Sequence, residues 1–261
     1  MSTDDIIVDE ADAIVTITLN RPAMKNAISV TMFETLRDTF RTITAQQTAR
    51  CVVLTGTKDF AAGADLSRAG NREPRERPNT LYSMRIIHDA IVALTDIPVP
   101  VVAKVRGVAV GAGMSLALAC DMVVASENAR FAAIFARRGL SLDCGASWLL
   151  PRLVGIQKAK EIALLADMIG ADEARAIGLV NRVVPDADLD ATVAALADRF
   201  ANGPTVALSM TKRLLNNAFT SSLVESLEAE AMAQAVNGTT ADTTEGMLAF
   251  LEKRDAAFKG R

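Results

Sequence analysis

Apolar residues recur along this chain with two different periods, and the change of period divides it. Alternation over Ala13–Leu19 (AIVTITL) predicts a half-buried strand, because residues two apart share one face of a pleated chain. The apolar runs Arg50–Thr55 (RCVVLT), Pro100–Val105 and Asp121–Ala125 predict further strands, and the spacing of Val30–Ile43 predicts a helix. Strands and helices alternating in this way bury a shared sheet, which places the chain in the α/β class. From Gln157 onward the pattern turns helical, with periodic segments at Lys158–Ala166, Asp172–Ile177, Leu189–Ala201, Val206–Phe219, Leu223–Val236 and Thr243–Arg254. The expected organisation is a core over residues 1–200 followed by a helical region over residues 201–261.

Two segments depart from these periods. The longest apolar run, Gly107 to Cys120 with only Ser115 interrupting, is shorter than the ~20 residues a bilayer crossing needs. It reads as a buried core helix. Ser67–Asn79 (SRAGNREPRERPN) is too rich in Gly, Pro and charge to bury much surface, so a mobile loop is expected there.

Composition narrows the function classes. Half of the 261 residues are hydrophobic and 23% are charged, enough for one large core. A formal net charge of -3 leaves no broad basic surface for nucleic acid or an anionic membrane, so an anionic ligand has to be met locally. Cys51, Cys120 and Cys144 stand in apolar surroundings without metal-ligand spacing, and their odd number argues against a disulfide framework. The N-terminus MSTDDII carries acids where a signal peptide carries basic residues. A cytoplasmic setting is expected.

Two stretches of small residues are candidates for chemistry. Phe60–Leu66 (FAAGADL) follows the second strand; its small side chains let a ligand approach the backbone, and Asp65 suits the start of a short helix. An ordinary tight turn explains this stretch equally well. Gly107–Ser115 (GVAVGAGMS) places a Gly-Ala-Gly step where a helix should begin, and unpaired N–H groups there favour negative charge. Close helix-to-sheet packing is the plainer explanation. The glycine spacing does not fit a dinucleotide-binding turn.

Taken together and in order, these segments resemble the crotonase (enoyl-CoA hydratase/isomerase) superfamily. Leu19-Asn20-Arg21-Pro22 with Asn26-Ala27 comes first, then the two small-residue segments. Gly139–Gly145 (GLSLDCG), Trp148–Arg152 (WLLPR) and Ala249–Arg254 (AFLEKR) follow. The resemblance implies a crotonase (ClpP-like) fold, a spiral of β–β–α turns with a C-terminal helical region that assembles subunits as a homotrimer or dimer of trimers. It implies an acyl-CoA thioester as partner and no cofactor beyond coenzyme A as part of the substrate, and no metal. By the same carry-over, the N–H groups of Ala64 and Ala112 form an oxyanion hole. Lys25, Ala62, Asp65, Leu66, Ser115, Phe135, Phe250 and Lys253 serve substrate or CoA, the last two across a subunit boundary.

The sequence departs from the hydratase pattern where that subfamily carries paired glutamates, here Ser115 and Phe135. Neither can activate water. Asp143 matches the aspartate of the enoyl-CoA and ring-epoxide isomerase branch, and one acid suffices to carry a proton between the α and γ carbons. Phe135, Leu142 and Trp148 would raise its pKa if they surround it. Isomerisation is therefore expected. Hydration, dehalogenation or hydrolysis of an aromatic acyl-CoA by Asp143 with His88, and non-catalytic acyl-CoA binding stand as alternatives. His88 otherwise reads as a solvated helix residue, Cys144 as a buried thiol, and Arg137 and Arg138 as a solvated pair. The Ser67–Asn79 loop and residues near Tyr82 are expected to line the acyl pocket.

Overall fold

The computed structural model describes residues 5–67 and 80–261; beyond Ser67, the loop expected over Ser67–Asn79 lies outside them. Nine strands form within the described residues: β1 (Ile6–Ala11), β2 (Ile14–Leu19), β3 (Cys51–Gly56), β4 (Val101–Val105), β5 (Val108–Val110), β6 (Met122–Ser126), β7 (Arg130–Ala132), β8 (Ile169–Gly170) and β9 (Arg182–Val184). A six-stranded sheet runs β1-β2-β3-β4-β6-β9 and a three-stranded sheet runs β5-β7-β8. Only β1 with β2 and β7 with β8 are antiparallel. The β1–β2 hairpin turns through Asp12 and Ala13 at φ 51° and 61°, the left-handed pair that matches strand twist.

Ten helices complete these residues: α1 (Val30–Gln46), α2 (Thr80–Thr95), α3 (Ala112–Leu118), α4 (Ala146–Val154), α5 (Ile156–Leu165), α6 (Ala171–Ala176), α7 (Leu189–Ala201), α8 (Thr205–Asn217), α9 (Leu223–Asn237) and α10 (Ala241–Glu252). Ser29 starts α1 because its hydroxyl accepts from Met32 N at 3.2 Å, satisfying a donor that lacks a partner in the first turn. The helix buries Phe33, Leu36 and Phe40 in the main core. Strands β3 and β4 are buried on both faces, which is why they read as unbroken apolar runs. Val52 and Leu54 face the main core, while Cys51, Val53 and Val102 pack with Leu189, Val193 and Leu196 of α7. The α/β expectation holds, with helices covering both faces of the large sheet.

The apolar run from Gly107 is not one helix. Its first part is strand β5, its second is α3, and Gly111 at φ 54° turns the chain between them. A short apolar run looks the same in a buried strand and a buried helix, so only the pairing of β5 with β7 decides. The Asp65 side chain accepts from Ser67 N at 3.0 Å, and the short helix expected to begin there would run into residues outside those described. At the C-terminal end, α8 to α10 leave Phe219, Leu223, Val224, Phe250 and Leu251 exposed. The buried Asp242 carboxylate accepts from Lys259 N and Gly260 N, both at 2.7 Å, and folds the tail back onto α10. Among the described residues, no helix is long and apolar enough to cross a membrane.

Candidate active site

Three backbone segments lie side by side to make the site. Residues 60–65 form the middle one. On one edge Ala62 N donates to Lys25 O (2.8 Å), Ile28 N to Gly63 O (2.8 Å) and Asp65 N to Ile28 O (2.9 Å). On the other, Phe60 N donates to Arg106 O (2.8 Å), Ala61 N to Val108 O (2.9 Å) and Val110 N to Ala61 O (3.0 Å). Ile28 bridges Ala64 in parallel fashion through Gly63 O and Asp65 N, which turns the N–H of Ala64 itself away from that edge, to the side where Ala112 lines the same cavity. Ala112 is the first residue of that helix, so its N–H has no acceptor one turn back. Among the described residues neither N–H donates to a protein group.

Glycines set how closely these segments approach. A Cβ on Gly63, whose φ is +93°, would stand 3.0 Å from Val110 O and 3.7 Å from Ala112 N. One on Gly113 would stand 2.5 Å from Ala61 O. The missing side chains bring Ala64 and Ala112 to a single cavity of about 270 Å³ that Leu66, Phe135, Arg138 and Asp143 also line.

Asp143 is the carboxyl of this cavity. Burial pushes its pKa up, while the Cys144 thiol and, more weakly, the charge of His88 pull it down. Its Oδ1 is buried without a hydrogen-bond partner among the described residues. Cys144 and Gly145, at φ 50° and 80°, make the sharp turn that precedes α4. Ser115 is completely buried, and its hydroxyl points at Gly111 O (3.2 Å) and Asp143 O (3.4 Å), tying α3 to the Asp143 turn. A pair of N–H donors that shares a cavity with a half-buried carboxyl can hold a carbonyl oxygen while a neighbouring carbon exchanges a proton.

The other expected site residues divide. Ala62 and Leu66 line the same cavity. Lys25 is exposed at φ 48° and contributes its carbonyl to the backbone ladder. The Asp65 carboxylate is held below its usual range by Ser67 and then by Arg21, whose Nη2 stands 3.0 Å away. Phe250 and Lys253 lie at the exposed end of α10 and do not line the cavity in this single chain. His88 is exposed on α2 and reaches Asp143 through charge alone.

Of the apolar residues expected around Asp143, Phe135 shares its cavity, but Leu142 and Trp148 line separate hollows of about 450 and 710 Å³. Trp148 instead carries the Arg152 guanidinium 3.9 Å over its ring. Burial also pushes the Cys144 thiol far up, which keeps it protonated. Two features carried no sequence signal of their role. Asn26, fully buried, accepts from Arg21 N (2.7 Å) and donates to Thr57 O (3.0 Å) and Asp59 O (2.6 Å), pinning the entry to residues 60–65. Arg138 faces the cavity while Arg137 pairs with Asp167 at 2.8 Å.

A mostly parallel sheet flanked by helices, with two N–H groups and a carboxyl on one cavity, is what the resemblance to the crotonase fold implies. Comparison with known proteins agrees. The profile of the enoyl-CoA hydratase/isomerase family matches residues 9–261. The chain is 37% identical over 250 residues to 1,2-epoxyphenylacetyl-CoA isomerase of Escherichia coli strain K12, covering 95% of each. It is 32% identical over 260 residues to crotonyl-CoA hydratase of Syntrophomonas wolfei, covering 99% of each. An enoyl-CoA hydratase structure from Bacillus anthracis superposes with a TM-score of 0.91 at 33% identity, covering 98% of this chain and 100% of that one. The protein belongs to the enoyl-CoA hydratase/isomerase family and is one of its acyl-CoA enzymes.

Proposed function

We propose that the protein moves the double bond of an enoyl-CoA, or opens a ring epoxide to its isomer, with Asp143 as the single acid/base. One observation carries this reading: Asp143 is the only carboxyl lining the cavity of Ala64 and Ala112 among the described residues. In this reading the thioester oxygen accepts from both N–H groups, which stabilises the enolate as a proton leaves carbon. A lost donor of this kind typically costs ~3 kcal/mol of transition-state stabilisation. Asp143 takes the proton from one carbon of the allylic system and returns it to the other. Its raised pKa suits both halves of that transfer, and its unpartnered Oδ1 is free to accept.

The relative named as an epoxide isomerase supports this reading; relatives named as hydratases support the alternative. Hydration needs a second group to activate water, and here Phe135 is hydrocarbon and the Ser115 hydroxyl points at two carbonyls. The Asp143–His88 dehalogenase reading has less support, since His88 stands outside the cavity. The substrate's CoA is held by the backbone near Lys25 and Ala62. The exposed apolar face of α9 and α10 is buried in a homotrimer or dimer of trimers that brings Phe250 and Lys253 to a neighbour's CoA, and the protein works in the cytoplasm.

The test is turnover of a 3-enoyl-CoA by wild type and Asp143→Asn, followed by the absorbance of the conjugated product. A loss of about 10²- to 10⁴-fold in kcat with CoA-ester affinity unchanged is expected. Equal rates would sink the proposal, and rapid loss of absorbance from crotonyl-CoA would turn it to hydration.

A further inference from the structure

Arg138 stands in the acyl cavity as a cation that the described protein does not neutralise. The turn that carries it is fixed: Arg138 N donates to Phe135 O at 2.8 Å, Gly139 N to Ala136 O at 3.1 Å and Leu140 N to Phe135 O at 3.1 Å. Its neighbour Arg137 has a carboxylate partner in Asp167, whereas no hydrogen bond or ion pair of the Arg138 side chain exists among the described residues. Asp143 lines the same cavity but makes no ion pair or hydrogen bond with it, and its buried Oδ1 has no partner among the described residues. Among the described residues, the cavity is also lined by the apolar side chains of Leu66, Ile134, Phe135 and Leu140.

We infer that Arg138 selects acyl-CoA substrates whose acyl group carries a carboxylate, which the guanidinium grips while the thioester oxygen sits between Ala64 and Ala112. A planar fork of N–H donors matches a carboxylate in two parallel hydrogen bonds, and because Arg138 is exposed, solvent holds the strength of that grip to a modest value. CoA phosphates are the competing partner for this exposed guanidinium, and the free-CoA arm of the experiment separates the two. The inference rests on the thioester-binding reading of this cavity but not on which carbon receives the proton.

Binding and turnover separate the two. Calorimetry with saturated monothioesters of five- to eight-carbon dicarboxylic acids, against straight-chain acyl-CoAs of the same length, reads the grip without chemistry. Wild type should bind the best carboxylated ester about five- to tenfold more tightly than its neutral counterpart. Arg138→Met should abolish that preference while leaving the neutral ester within about twofold, and Arg138→Lys should keep part of it. Absence of preference in wild type would overturn the inference. So would a loss in Arg138→Met that falls equally on both esters and on free CoA, which would assign the residue to the CoA. In parallel, 3-hexenedioyl-CoA and 3-hexenoyl-CoA report turnover. If neither reacts, the isomerase reading fails while the calorimetric preference still decides the role of Arg138.

Discussion

Gly113→Ala tests whether the spacing of the two N–H donors controls the rate. The new Cβ would stand 2.5 Å from Ala61 O, 2.7 Å from Ala61 Cβ and 3.0 Å from Ala61 C. Ordinary contact begins at 3.4 Å, so the carbonyl contact is 0.9 Å too short. Relief cannot come from a side-chain rotation, because the nearest atom is backbone. Helix α3 or residues 60–65 must move, and these carry Ala112 and Ala64. A misplacement approaching 1 Å in a catalytic site costs about 10²-fold in rate, and overpacking a close contact costs about 1–3 kcal/mol of stability. The expected outcome is a kcat about 10²-fold lower on whichever enoyl-CoA the wild type turns over, with a modest fall in Tm and little change in CoA affinity. Gly238→Ala is the control, since its Cβ meets nothing nearer than 3.4 Å and the backbone there is helical. An unchanged kcat in Gly113→Ala, despite a lowered Tm, would refute the claim that this contact sets the geometry of the hole.

Two further outcomes follow from partly buried carboxyls. The Asp143 carboxyl is raised above 3.8 by burial, so between that value and its folded pKa the folded chain holds a proton the unfolded chain has released. Stability therefore falls as pH climbs through this window. Asp143→Asn should be more stable than wild type above the window, with the difference closing below it in melts run across pH; a constant difference would mean that ionisation is not the cause. Lys212 on α8 reaches Asp121 at 2.7 Å and Val99 O at 3.1 Å, docking the C-terminal helices onto the core. Lys212→Met leaves that partly exposed carboxylate without its cation, at a cost of about 1–2 kcal/mol that shrinks as acid protonates Asp121. A melt equal to wild type at neutral pH would show that the pair contributes nothing.

The periodicity of the chain determined its α/β class, its main strands and the helical C-terminal region, because those features depend on local spacing of apolar residues. The roles expected of Ala64, Ala112 and Asp143 came from the resemblance that the ordered segments carry, because residue type alone fits an ordinary turn or close packing as well. What tertiary structure decided were the things that depend on neighbours distant in sequence. Val108–Val110 became a strand through pairing with Arg130–Ala132. Trp148 turned to Arg152 rather than to Asp143. Asn26 became the pin of the loop through carbonyls more than thirty residues away. Arg137 and Arg138 are identical and adjacent in sequence, yet a turn closed by three backbone hydrogen bonds accompanies one paired with Asp167 and the other lining the cavity. Residue type fixes which groups can carry charge or donate a proton, but only the path of the backbone fixes which of them meet.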